Sequence, residues 1–289
     1  MQCAESRGWG HHRADGMAQM KRIGNRGRWT QGAIALMGLG VMGLAGCGES
    51  EAPKSALDLV VNGEAFAEMG MVSKDQWQME FEQVIVTVGA VTASGVPSQA
   101  ANGDEVLEAS WPLPSESDPE VKAAVVSLQD GPVRLGSQPV TVGNYNQVKW
   151  TWGSGETAAI ALQGTATQGD RTVTFNLEFP GQFQVACGDY VGDERKGIVT
   201  ADEAGEVELT FHLDHVFGDG EFPPEAEINQ KSVGFGPLVE ATEGDEVTVT
   251  AADWEQWGTP ELRRSLEKTV QSMPHVGEGH CQVEEETAS

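Results

Sequence analysis

Residues 77–88 read Trp-Gln-Met-Glu-Phe-Glu-Gln-Val-Ile-Val-Thr-Val and indicate the architecture of the chain. The apolar side chains at 77, 79 and 81 alternate with Gln or Glu, which is the period-two pattern of a half-buried strand. The run from Val84 to Val88 is more continuously apolar and is typical of a more deeply buried strand segment.

Further strand patterns follow along the chain. They lie at 123–128, 147–152, 158–165, 172–179, 182–187 and 207–214. Gly, Pro, Asn and Asp separate them at the short intervals of antiparallel sandwiches, whereas a parallel α/β fold needs helices between its strands. Helical signals come only near the end, where Thr259 and Pro260 form an N-cap followed by proline at the first helical position. We therefore predict a mainly β protein, an antiparallel β-sandwich over 57–250 with a short α-helical C-terminal appendage over 251–289.

Composition excludes one class of function. The 289-residue chain carries 18 basic and 44 acidic side chains, a formal net charge of -26. Nucleic-acid binding needs a basic surface that replaces phosphate counterions, so we expect no nucleic-acid partner.

The N-terminal segment has the order of an export signal. A basic stretch from Lys21 to Arg28 precedes an uncharged run over 33–46, which is shorter than the roughly 20 apolar residues of a membrane-spanning helix. We predict a signal peptide over 1–46. Its start lies at Met17 or Met20 if the acidic and histidine-containing residues before them are not translated.

The four residues that close this run are Leu44-Ala45-Gly46-Cys47. They resemble the lipobox of bacterial lipoproteins, and this resemblance covers only the signal segment. It implies that Cys47 is lipidated and becomes the first residue, that 47–56 form a polar tether, and that the membrane is a partner through the lipid. Gly48 rather than Asp follows the cysteine, which in that family favours the outer membrane. The alternative is an ordinary secreted or uncleaved signal with a chance cysteine.

A second, weaker resemblance concerns the sandwich. Residues 142–148 (Val-Gly-Asn-Tyr-Asn-Gln-Val) resemble a turn and strand of transthyretin-like and carboxypeptidase-regulatory-like sandwiches, in which a tyrosine folds over a glycine turn. Together with 77–91, this stretch resembles uncharacterised bacterial lipoproteins of sandwich type. The resemblance implies a fold and no activity.

Cleavage before Cys47 would leave 12 basic and 42 acidic side chains, together with two other cysteines, Cys187 and Cys281. Two thiols in an exported domain usually pair because the compartment is oxidising. We therefore predict a Cys187–Cys281 disulfide.

The candidate chemistry lies in the last third of the chain. The histidines that follow residue 46 form two short groups with nearby acids, HLDH at 212–215 and PHVGEGH at 274–280. Imidazole and carboxylate donors suit Zn, Cu, Fe or Ni. If the two groups meet, they predict one transition-metal site. Its candidate ligands are His212, Asp214, His215, His275 and His280. Otherwise these are exposed or hydrogen-bonded histidines beside turns.

Three functions follow from these observations. The first is a lipid-anchored envelope protein, non-catalytic, that binds a transition-metal ion through the C-terminal His/Asp cluster and passes it to an envelope protein partner. The second is an envelope adhesion or scaffold module without metal. A hydrolase comes third, since the GxSxG, HExxH and P-loop lysine motifs are absent from the sequence. That absence favours a non-enzyme and leaves catalysis open.

Overall fold

The computed structural model describes residues 53–97, 106–113, 123–154, 158–188, 196–277 and 279–285. All of them belong to one unit that begins at Ser50. The predicted signal peptide over 1–46, the lipidation site Cys47 and the last four residues, 286–289, lie outside the described residues.

The chain forms strands over most of its length. They are β1 Lys54–Asn62, β2 Met71–Val72, β3 Gln78–Pro97, β4 Leu107–Trp111, β5 Ala124–Ser127, β6 Val133–Thr141, β7 Gly143–Trp152, β8 Ile160–Gln168, β9 Arg171–Phe179, β10 Phe183–Gly188, β11 Ile198–Val199, β12 Gly205–Phe211, β13 Glu246–Val249, β14 Pro274–Val276, β15 Gly279–His280 and β16 Gln282–Glu285. The helices are α1 Glu64–Met69, α2 Asp214–Phe217, α3 Glu227–Lys231, α4 Gly236–Glu240 and α5 Pro260–Gln271, with a 3-10 turn at Trp254–Gln256.

Two sheets pack together as a sandwich. The smaller has the order β15-β14-β12-β1-β6, and the larger follows β13-β9-β8-β3-β7-β10-β16, with β2, β4 and β5 beside β3 and β11 beside β7. The predicted mainly β sandwich is confirmed. Its pairings are antiparallel except that β1 runs parallel to β12 and β13 runs parallel to β9.

The stretch that begins at Trp77 becomes the longest strand, β3, which runs for 20 residues. Its first half pairs with β8 and its second half with β7, so β3 lies in the middle of the larger sheet. Val84, Val86 and Val88 are fully buried, as the apolar run predicts.

The core between the sheets is aromatic. Trp152 of β7 and Phe211 of β12 are fully buried, and their ring centroids lie 5.4 Å apart. The Trp152 indole also donates to the carbonyl of Ala159 at 2.9 Å, which satisfies its only polar group. Because Phe211 directly precedes His212, this contact fixes the starting point of the site described below.

Residues 143–148 form the first part of β7, after a bend at Val142. Tyr145 is buried, and its hydroxyl donates to the carbonyl of Thr141 at 3.0 Å.

Two regions differ from the sequence prediction. Helices α1 to α4 all lie before residue 250, inside the range predicted as sandwich. After α5 the chain returns to strands, with β14 and β15 in the smaller sheet and β16 in the larger one. Two-residue and three-residue strands carry too short an alternation to be recognised, and only their pairing partners define them.

Candidate metal centre

His212 and Asp214 lie where β12 gives way to α2. The predicted strand over 207–214 stops at Phe211, so these two side chains do not share a strand face. Leu213, Val216 and Phe217 are all fully buried, and their helical spacing outweighs the alternation that the sequence suggested.

Cross-strand pairing places the other two histidines. His275 of β14 lies opposite Thr210 of β12 on one side and opposite His280 of β15 on the other. Directly opposite residues on one sheet face have neighbouring side chains. His275 Nε2 accordingly lies 2.9 Å from His280 Nδ1.

The four imidazoles form one cluster. The ring centroid of His275 lies 4.1 Å from that of His212, 4.9 Å from that of His215 and 4.4 Å from that of His280. The two sequence groups, separated by about sixty residues, therefore meet in space, and Asp214 lies beside them.

The donor atoms form two triads, and each can hold a metal ion. The ligand atoms of His212, Asp214 and His215 lie within 4.8 Å of one another, and so do those of His215, His275 and His280. We call the first the inner triad and the second the outer triad. They share His215.

Two buried atoms of the inner triad lack an internal partner. His212 Nε2 and Asp214 Oδ1 are inaccessible to solvent, and neither makes a hydrogen bond to any described residue. Buried polar atoms are nearly always satisfied, and leaving one unpaired costs about 1–3 kcal/mol. An ion between these two atoms would satisfy both.

Glu64 orients the His212 ring. Its Oε2 lies 3.3 Å from His212 Nδ1. A carboxylate only accepts, so it favours the tautomer with the proton on Nδ1 and a free electron pair on Nε2. The buried, unpartnered nitrogen is therefore the one able to bind a cation.

Ser272 orients the His215 ring in the same way. Its hydroxyl donates to the carbonyl of Thr269 at 2.7 Å, and His215 Nδ1 lies 3.1 Å from the same oxygen. Since the single hydroxyl proton is already used, Ser272 accepts from His215 Nδ1–H. This leaves Nε2 of His215 as the ligand atom.

Burial keeps three of the imidazoles neutral. It lowers the pKa of His212 to about 4, that of His215 to about 4 and that of His275 to about 3, with a smaller contribution in each from the neighbouring histidines. Burial also raises the pKa of Asp214, and the nearby Asp219 adds to this effect. Neutral imidazole is the form that binds a metal.

One side of the cluster reaches the surface. His215, His280 and Ser272 line a cavity of about 370 Å³, and its other wall is formed by Glu227, Ile228 and Lys231 of α3. His280 is exposed, whereas His275 is 4% exposed.

The predicted disulfide between Cys187 and Cys281 forms, with 4.4 Å between the Cα atoms. It joins β10 of the larger sheet to the residue that follows His280. The disulfide therefore ties the outer triad to the body of the sandwich, and it is typical of a protein exported to an oxidising compartment.

The sequence interpretation missed Glu64 and Ser272. Glu64 stands about 150 residues before His212, and no local pattern connects them. The signal that would have found it is the parallel pairing of β1 with β12, in which Asn62 lies opposite Thr210. Glu64 and His212 each follow two residues after this pair, just beyond the ends of the two strands.

Comparison with known proteins finds no matching family model, no matching curated protein and no matching solved structure. Among the described residues, no helix combines the length and the apolar character required to cross a bilayer.

Proposed function

We propose that this protein is a lipid-anchored, non-catalytic envelope protein that binds a transition-metal ion through its His/Asp cluster. One observation carries the proposal: five potential ligands converge, and two of their donor atoms, His212 Nε2 and Asp214 Oδ1, are buried without a partner among the described residues. A cation is a ligand that these two atoms can share, and the three neighbouring imidazoles complete its set of donors.

The donor set defines the class of ion. Imidazole nitrogen with a single carboxylate oxygen suits Zn²⁺, Cu²⁺, Ni²⁺ or Fe²⁺, whereas Ca²⁺ and Mg²⁺ prefer all-oxygen sites. The orientation of the His212 ring by Glu64 supports this function because metal-binding histidines usually contact a carboxylate or carbonyl through their other nitrogen.

The proposed localisation rests on separate observations. The lipobox-like residues 44–47 support lipidation of Cys47, and Gly48 favours the outer membrane. The Cys187–Cys281 disulfide supports export to an oxidising compartment. An anchored carrier of this kind would deliver its ion to a neighbouring envelope protein.

Elemental mass spectrometry tests the metal function. The exported mature protein is purified without chelators and compared with the His212→Ala/His280→Ala double variant, which removes one ligand from each triad. Asp170→Asn, on the exposed turn between β8 and β9, is the control variant and is compared at equal expression. We expect a transition metal near one equivalent in the wild type and the control, and none in the double variant.

A wild-type protein that stays empty after incubation with Zn²⁺, Cu²⁺, Ni²⁺ and Fe²⁺ would refute metal binding and favour the scaffold or adhesion hypothesis. The anchor is tested independently. Detergent-phase partition and the mass of the N-terminal peptide should both change in Cys47→Ser if Cys47 carries a lipid.

A further inference from the structure

We propose that the cluster holds its ion at two successive positions, an inner one that retains the ion and an outer one through which the ion enters and leaves. The inner position is formed by His212, Asp214 and His215, and the outer one by His215, His275 and His280. This inference rests on the proposed metal function and goes beyond it by assigning separate roles to the two triads.

The unpartnered atoms identify the inner triad as the position that retains the ion. Both His212 Nε2 and Asp214 Oδ1 belong to it. Among the described residues, His275 and His280 have no buried side-chain atom that lacks a partner. The inner triad also contains the only carboxylate among the five ligands, so it offers the ion a negative charge in a buried setting. The charge of the Asp214 carboxylate and the two unpartnered atoms both favour an ion at this position.

The outer triad contains an internal hydrogen bond, and two of its members border the surface cavity. His275 Nε2 and His280 Nδ1 share a hydrogen bond of 2.9 Å, which must open before either nitrogen binds an ion. His280 and His215 border the cavity at the surface, whereas His212 and Asp214 do not line it. An ion arriving from solvent therefore meets His280 first.

His215 connects the two positions. Its Nδ1 is held by Ser272, so the same nitrogen, Nε2, serves both triads. An ion can keep this bond while it exchanges His275 and His280 for His212 and Asp214. The passage is a ligand exchange without redox chemistry, and the ion never loses all of its protein ligands.

Rates of metal uptake and release, measured together with the dissociation constant, distinguish the role of the outer triad from that of the inner triad. A residue that binds the ion only in transit changes the rates of uptake and release by the same factor and leaves the dissociation constant unchanged. A residue that binds the retained ion changes the dissociation constant. The probe is Co²⁺, followed by its visible absorption in stopped flow for uptake, by competition with a chelator for release, and by titration for affinity.

For His280→Ala we expect slower uptake and slower release, with a dissociation constant within about twofold of the wild type. Gln282→Ala, an exposed change in the same segment, controls for loosening of the chain and should change neither quantity. For Asp214→Asn we expect at least the roughly 10–100-fold loss of affinity that follows removal of a supporting residue at metal sites. The charge-matched control Asp170→Asn should bind like the wild type, and His212→Ala provides the same test if Asp214→Asn does not fold.

An affinity that falls equally in His280→Ala and Asp214→Asn would overturn the two-position arrangement while leaving the metal function intact, because all ligands would then surround one ion. Unchanged rates in His280→Ala would overturn the entry role. A wild-type protein that takes up no Co²⁺ or Zn²⁺ would refute the metal function itself, and with it the inference.

Discussion

The Glu64 carboxylate lies 3.3 Å from Nδ1 of His212, although the two residues are far apart in the sequence. The backbone N–H of Glu64 donates to the Asn62 side chain at 2.8 Å, and Asn62 in turn donates to Glu208 of β12 at 2.5 Å. Glu64 also has a positive φ of 57°, which is uncommon for a residue other than glycine. The chain adopts this conformation at the residue whose carboxylate contacts the His/Asp cluster.

Glu64→Ala should therefore weaken metal binding. Without the carboxylate, His212 loses the group that keeps its proton on Nδ1 and its Nε2 free, and such changes at metal sites cost about 10–100-fold in affinity. Glu64→Gln keeps an accepting oxygen and should lose less. Titration with Co²⁺ measures both variants, and Glu68→Ala on the exposed side of the same helix is the charge-matched control. Equal affinity of Glu64→Ala and Glu68→Ala would exclude a role for Glu64.

Loss of the disulfide should destabilise the sandwich. Cys187 and Cys281 are 94 residues apart, and closing a loop of that length stabilises a fold by roughly 3–5 kcal/mol in the chain-entropy model. The double variant Cys187→Ser/Cys281→Ser avoids a free thiol, and its urea unfolding midpoint should fall by the corresponding amount. A midpoint equal to that of the wild type under oxidising conditions would contradict this expectation.

The metal-free protein should lose stability as the pH falls below about 6.5. The pKa values of His212, His215 and His275 in the folded state, about 4, about 4 and about 3, lie below their usual 6.5. The unfolded chain therefore binds more protons in this range, so stability is fully present above about pH 6.5 and is lost as the pH falls towards 4 and then 3. The raised pKa of Asp214 acts in the opposite direction and partly offsets the loss.

Urea unfolding of chelator-treated protein between about pH 7.5 and 4.5 measures this dependence. A difference of one in pKa corresponds to about 1.4 kcal/mol, so the contribution of His275 alone is measurable. His275→Gln should flatten the curve, and an unchanged slope in that variant would contradict the assignment.

Phe211→Ala should destabilise the whole domain. The side chain is fully buried against Trp152, and truncating a buried phenylalanine costs about 3–5 kcal/mol through lost burial and the remaining cavity. Phe222 is 56% exposed, so Phe222→Ala should leave the urea midpoint nearly unchanged. Comparable losses in the two variants would show that burial does not explain the effect.

The sequence alone predicted the class of fold and the membership of the cluster. Alternation along β3 to β10 is a local property, since each side chain's exposure follows from its place in a strand of period two. The pairing of Cys187 with Cys281 followed from the cysteine count, and the five candidate ligands followed from the clustering of histidine with acid in one third of the chain.

Only the tertiary structure decided how those ligands meet. The parallel pairing of β1 with β12 brings Glu64 to His212, and the pairing of β12, β14 and β15 brings His275 and His280 to the same place. Such pairings depend on which distant strands bury their apolar faces together, and a short stretch of sequence does not determine this. The same long-range contacts remove His212, His215 and His275 from solvent, wholly or in part, and so lower their pKa values. They also leave His212 Nε2 and Asp214 Oδ1 buried without a partner among the described residues.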